Sequence, residues 1–243
     1  MMKRLLKSLL AKCGMTISRT QHHVGWGCDA FVDQQRLLVD SPVRTIFDVG
    51  ANLGQTSARY VALFPDAEVH AFEPTPDTYG RLRDAFASNS KVKTYPLAVA
   101  QATSIVDLQL NSFHATNSLL QTDARCAAFM DASLAETVAS VAVEATSIDD
   151  FVRRHAIQKV DILKMDIQGA EGYAIEGAVK TLMRKQVRLI FTEVLFANLY
   201  TSQCSFTDLT AKLDQLGYKL FSLYDLKVTP AGLAWADAIY VQG

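Results

Sequence analysis

The stretch Thr45–Ser57, TIFDVGANLGQTS, constrains this chain more than any other. Ile46, Phe47 and Val49 are apolar and strand-favouring, and they predict a short buried strand. Asp48 interrupts it just before Gly50, and a helical pattern resumes after Gly54. The stretch therefore reads as strand, glycine turn, helix. Gly50 and Gly54 carry no Cβ, so the backbone can approach a ligand closely. A helix starting there directs its free N–H groups and the positive end of its dipole at whatever occupies the turn. The spacing is Gly-x-x-x-Gly and not the full dinucleotide fingerprint, so on this stretch alone a purely structural turn is the competing reading.

Three further acids fall at comparable positions. Glu73 ends a second predicted strand, EVHAF. An acid about 20 residues beyond a glycine turn is where a ribose diol binds in such folds, because a carboxylate accepts from two hydroxyls at once. Asp166 ends the predicted strand Val160–Met165, and Glu193 lies near the C-terminal end of Val187–Val194. Any one of Asp48, Glu73, Asp166 and Glu193 could be a helix cap or a surface charge. Four acids at one end of four strands point instead to a shared cleft.

Between these strands the sequence alternates with helical patterns, over Gln55–Phe64, Pro76–Ser88, Gly169–Met183 and Ser205–Leu216. Alternation of this kind predicts a parallel sheet covered on both faces. The last two strands, joined through Pro230-Ala231-Gly232, predict an antiparallel hairpin at one edge. Ser104–Leu110 alternates apolar and polar residues and reads as an antiparallel excursion. Asn111–Ser118 is polar, without periodicity, and reads as a functional loop. Ala124–Ala139 is alanine-rich and reads as part of a lid or insertion. Residues 1–40 read as an N-terminal helical extension, with Phe31, Leu37 and Leu38 as its buried positions, and residues 41–243 as the α/β domain.

DVGANLGQTS, AFEPTPDTYGRL and LKMDIQGAEGYAIEGA, in that order, resemble the FkbM family of S-adenosylmethionine-dependent methyltransferases. The resemblance spans Val43 to Val194, plus a matching tail. It implies a Rossmann-like, doubly wound, mostly parallel seven-stranded sheet with the antiparallel C-terminal edge hairpin, and S-adenosylmethionine as cofactor. Gly50, Ala51, Asn52 and Gly54 would line the methionine and ribose side. Asp48 would order that turn or accept the ammonium group, and Glu73 would hold the ribose hydroxyls. Pro74 would pack on the adenine, with Leu97 and Ala98 on its other side, and Asp166 would face the methionine moiety. The family pattern Asp-x-Glu-Gly-Ala-Glu here reads Asp166-Ile167-Gln168-Gly169-Ala170-Glu171, one negative charge fewer.

Methyl transfer asks the protein to align the acceptor, exclude water and, for a hydroxyl acceptor, remove a proton. His114, Glu171 and Glu193 are the candidate bases. His70 reads as a core histidine, and no partner motif accompanies His22 or His23. A metal is not implied by the resemblance. The expected reaction is O-methylation of a hydroxyl on a glycan or secondary-metabolite acceptor. The alternatives are a nicotinamide-dependent oxidoreductase on the same fold, and a binding protein that has lost catalysis.

Composition sets the remaining expectations. A net charge of −1 over 243 residues gives no electrostatic case for a nucleic-acid partner. Cys13, Cys28, Cys126 and Cys204 are scattered without a C-x-x-C pair, so a reducing cytoplasm is expected. No apolar run reaches the length of a membrane span. At the start, Lys3, Arg4, Lys7 and Lys12 alternate with Leu5, Leu6, Leu9 and Leu10. That pattern allows weak contact with an anionic membrane surface, although a short helix packed on the domain or in solvent is the preferred reading.

Overall fold

A computed structural model describes residues 25–243. The amphipathic segment Met1–Lys12, Cys13, His22 and His23 lie outside the described residues. No helix among the described residues is long and apolar enough to cross a membrane.

The glycine turn begins a doubly wound sheet. Strands β1 (Thr45–Val49), β2 (Glu68–Phe72) and β3 (Val92–Tyr95) pair in parallel towards one edge. Short β4 (Ala98–Val99) leaves the sheet, and β5 (Ser104–Asn111) runs antiparallel to β6 (Thr137–Thr146). These three form a separate small sheet in the order β4-β6-β5. The chain then returns through β7 (Val160–Met165) and β8 (Val187–Leu195), both parallel to β1, and closes with the hairpin β9 (Tyr218–Thr229) and β10 (Gly232–Gln242). The main sheet has seven strands in the order β3-β2-β1-β7-β8-β10-β9, with β10 antiparallel to both neighbours. Strand order reverses at β1, which is where such sheets open a crevice beyond their carboxyl ends.

The helices are α1 (Ala30–Leu37), α2 (Gln55–Leu63), α3 (Pro76–Ala85), α4 (Ile148–Arg154), α5 (Glu171–Glu176), α6 (Val179–Met183) and α7 (Phe206–Gln215). They cover two cores. Phe47, Phe72, Phe151, Leu163, Ile190 and Tyr240 belong to one face. Ile46, Tyr60, Val69, Ile162, Leu189 and Ile239 belong to the other. The alternation of Ile46 and Phe47 between the two faces is the two-residue period of a strand buried on both sides.

Two expectations change. Helix α1 buries Leu38, but Phe31 and Leu37 are only half-buried, and its most buried side chains are Asp33 and Gln34. Polar partners make this tolerable. Asp33 accepts from Tyr224 Oη at 2.9 Å and from Gly27 N at 2.7 Å, and Gln34 accepts from Tyr60 Oη at 3.1 Å. The helix expected from Gly169 to Met183 is also divided into α5 and α6. The break falls at Gly177, where a Cβ would stand 2.2 Å from the carbonyl oxygen of Ala100. Close approach of β4 requires a glycine there, and Gly177 O accepts from Asp149 N at 2.8 Å.

Candidate active site

The turn after β1 is built from backbone outward. Gly50 N and Ala51 N both donate to Phe72 O, at 3.1 and 2.9 Å, which ties the turn to the end of β2. Gly50 has φ +73°, and a Cβ on it would lie 1.9 Å from the carbonyl oxygen of Asp166. Gly54 has φ +88° at the start of α2, where a Cβ would strike the Phe86 ring at 2.3 Å. Both positions are closed to any other residue.

Beneath the turn lies a buried ion pair. Asp48 is fully buried, and Lys164 Nζ stands 2.9 Å from its Oδ1. Ser57 Oγ donates to Asp48 Oδ2 at 2.6 Å. Lys164 Nζ also donates to Gly50 O at 3.0 Å and to Val49 O at 3.3 Å. Burial pulls the Lys164 ammonium pKa down, but Asp48 and Asp166 outweigh it and the net shift is upward. Asp48 is therefore engaged from below and does not reach the cavity wall. Through Lys164 it is tied to the carbonyl oxygens of Val49 and Gly50.

Above the turn is a cavity of about 200 Å³. Gly50, Asn52, Glu73, Pro74, Leu97 and Ala98 line it. So do Asp166, Ile167 and Gln168. His114, Asn117 and Ser118, from the loop after β5, contribute the rest of the polar lining named here. Glu73 is nearly buried, and its two carboxylate oxygens accept from Asn52 N at 3.0 Å and Thr75 N at 2.8 Å. Burial raises its pKa against the pull of these hydrogen bonds. Two polar atoms of cavity-lining residues, Asn52 Oδ1 and His114 Nδ1, are buried without a partner. Buried polar atoms are rarely left unpaired, and both belong to residues that line the cavity. An acid beside the turn, glycine backbone, the apolar residues Pro74, Leu97 and Ala98, and Asp166 in one lining fit a nucleoside carrying an amino-acid tail.

The acids at the strand ends divide into those that meet the cavity and those behind it. Asp166 meets it. Glu171 is buried and accepts from Ile167 N at 2.9 Å, bracing the loop from behind. Burial pushes its carboxyl up to about 7. Glu193 is half-buried behind Gln168, and burial together with Asp166, Glu171 and Asp237 pushes it well up. Among the three candidate bases, His114 is the one that lines the cavity.

Sequence reasoning missed four contributors. Lys164 carried a signal: a lysine within the apolar run of β7 has to find a buried counter-charge. Asp237 stands opposite Glu193 in the β8–β10 register, and burial chiefly, with Asp166, pushes it to about 7. Only the hairpin register reveals that neighbour. Asn117 and Tyr200 fasten the loop: Asn117 Nδ2 donates to Thr75 Oγ1 at 3.2 Å, and Tyr200 Oη donates to Gln168 Oε1 at 2.7 Å.

The mostly parallel seven-stranded sheet and its crevice are those of the Rossmann-like class I methyltransferase fold. More narrowly, the chain belongs to the FkbM methyltransferase family: the family profile, described as a methyltransferase FkbM domain, matches residues 48–220. The membership sets aside the nicotinamide-dependent alternative. The 2-O-methyltransferase NoeI of Sinorhizobium fredii (strain NBRC 101917 / NGR234) is 26% identical over 178 residues, covering 68% of this chain and 69% of that protein. Among solved structures, a TehB-like S-adenosylmethionine-dependent methyltransferase from Corynebacterium glutamicum aligns at 11% identity and a TM-score of 0.43, covering 99% of this chain and 96% of that one. Aeropyrum pernix fibrillarin with natively bound S-adenosyl-L-methionine aligns at 13% identity and a TM-score of 0.45, covering 82% of this chain and 66% of that one.

Proposed function

We propose that this enzyme methylates a hydroxyl oxygen of a glycan or of a small secondary-metabolite acceptor in the cytoplasm. The observation that carries the reading is His114, an imidazole that lines the cavity together with Glu73 and Asp166. The 2-O-methyltransferase name of the NoeI relative supports oxygen as the acceptor atom. Among the described residues Cys28, Cys126 and Cys204 form no disulfide with one another.

In this reading Gly50 and Asn52 hold the amino-acid and ribose portion of the cofactor, Ala51 and Gly54 shape the turn behind them, and Glu73 accepts from the ribose hydroxyls with the lone pairs its backbone contacts leave open. Pro74, Leu97 and Ala98 sandwich the adenine. Asp166 orients the methionine end, and Asp48, with Lys164, holds the turn rigid. S-adenosylmethionine, when bound, supplies a methyl group on a sulfonium leaving group. The loop residues around His114 keep bulk water from the acceptor. The His114 imidazole takes the acceptor hydroxyl proton as the oxygen becomes nucleophilic. Glu171 and Glu193, the other candidate bases, act behind the wall as supports.

The test is methyl transfer from S-adenosylmethionine across a panel of hydroxylated glycans, with amine and carboxylate acceptors as controls. Turnover is expected on hydroxyl acceptors, and His114→Ala is expected to cut it by about 10²–10⁴-fold with cofactor affinity intact. Transfer confined to amines or carboxylates would contradict the oxygen assignment. A full-rate His114→Ala enzyme would remove His114 from the chemistry.

A further inference from the structure

Gln168 joins several parts of this site at once. Its backbone has φ +56°, a left-handed conformation that a non-glycine residue keeps only where its surroundings hold it. Its carbonyl oxygen accepts from Ser118 Oγ at 2.7 Å, and that hydroxyl in turn accepts from Leu120 N at 3.0 Å. Its side-chain Oε1 accepts from the Tyr200 phenol at 2.7 Å. Its Nε2 donates to Asp166 Oδ1 at 2.8 Å and lies 3.4 Å from Glu193 Oε2. The partners determine which way the amide faces. A phenol hydroxyl donates to the amide oxygen, which leaves the amide nitrogen to face the carboxylate oxygens as donor.

We propose that Gln168 is a positioning residue whose side-chain amide, held in one orientation by Tyr200, separates Asp166 from Glu193 and fixes the Asp166 carboxylate against the cofactor cavity. The proposal rests on the reading of Asp166 as a cofactor-facing residue. The same residue, through its carbonyl, fastens Ser118 and hence the loop that carries His114. One residue, through its side-chain amide and its backbone carbonyl, thus couples the acids at the cavity to the loop that carries His114.

The amide matters because of the charges around it. Asp166 follows β7, Glu171 opens α5, Glu193 lies on β8 and Asp237 on β10. Lys164 is the cation on this floor and is already paired with Asp48. Tyr200 packs in one buried cluster with Cys126, and His114 lies in the cavity wall. Burial and mutual repulsion already push Glu193 and Asp237 towards their neutral forms. A carboxylate at position 168 would therefore hold its proton to unusually high pH. Protonated, it could donate to Asp166 as the amide does. Ionised, it could only repel.

The experiment is calorimetric titration with S-adenosylhomocysteine at about pH 6 and about pH 8.5, on wild type, Gln168→Glu, Gln168→Leu and Tyr200→Phe, with thermal melting as a fold control. Gln168→Glu is expected to track wild type at the lower pH and to bind about tenfold more weakly at the higher one. Gln168→Leu, which cannot donate at either pH, is expected to bind about tenfold more weakly at both. Tyr200→Phe, which frees the amide to turn over, should weaken binding in the same direction at both. A residue that merely fills space would not give the pH-dependent recovery in Gln168→Glu. A Gln168→Glu to wild-type affinity ratio independent of pH, or a folded Gln168→Leu protein with wild-type affinity, would overturn the proposal. Absence of binding by wild type itself would overturn the cavity assignment, and the role of Gln168 with it.

Discussion

Glu171 illustrates how far a single carboxylate can be read. It is buried, braces the loop through Ile167 N, and is pushed up to about 7 from an ordinary value of 4.5. A folded-state pKa above the unfolded one means that the native protein holds a proton the unfolded chain has released. The corresponding stability is fully present below about pH 4.5 and is lost as pH rises through about 7. Asp237, also pushed to about 7, adds a contribution of the same sign. The melting temperature should therefore fall between about pH 5 and about pH 8, and Glu171→Gln, which keeps an acceptor for Ile167 N, should flatten that fall. A Glu171→Gln profile parallel to wild type would contradict the assignment. The sequence placed Glu171 near the site but not behind its wall, because helical spacing gives a position along the chain and not the direction in which the loop before it turns.

Among the elements, the strand–turn–helix unit at Gly50 was the most legible. Glycine spacing and the apolar strand before it fixed the turn, and the structure adds what the glycines avoid: the Asp166 carbonyl and the Phe86 ring. Gly50→Ala would bring a Cβ against backbone that cannot yield and would hold alanine at φ +73°. The expected result is a loss of about 3 kcal/mol or more in stability, with cofactor affinity abolished in whatever remains folded. A variant that melts and binds as wild type does would show that the turn can relax. The wall loop was less legible. Asn111–Ser118 announced itself only by polarity, whereas its anchoring depends on Ser118, Asn117 and Tyr200 meeting residues far away in sequence. Ser118→Ala removes the hydroxyl that accepts from Leu120 N and donates to Gln168 O. It should raise KM for the acceptor more than it weakens S-adenosylhomocysteine binding, and an unchanged KM would place the acceptor elsewhere.

At the scale of the whole molecule, alternating strands and helices, the edge hairpin and the acids at strand ends were enough to specify the doubly wound sheet and its crevice. The small sheet β4-β6-β5 was visible only as an alternating stretch, since its pairing joins Ser104 to Ala145 across a long intervening segment. The division of α5 from α6 was hidden for a similar reason: Gly177 answers to Ala100, not to its own helix. Long-range contacts of this kind leave no local pattern, which is why the chemistry of the cavity floor, Lys164 and Asp237 included, needed the assembled sheet.

The central claim is that the crevice at the β1–β2 strand ends holds the nucleoside of S-adenosylmethionine, with Glu73 on its ribose. The most direct measurement is calorimetric titration of S-adenosylhomocysteine into wild type and Glu73→Ala, with melting curves recorded alongside. Glu73 also accepts from Asn52 N and Thr75 N, so a lower melting temperature is expected, but with cooperative unfolding retained. Hydrogen bonds to a charged group contribute about 1.5–3 kcal/mol each, so losing one or two should weaken binding by about 10- to 1,000-fold. A folded Glu73→Ala protein that binds S-adenosylhomocysteine as tightly as wild type would contradict the account.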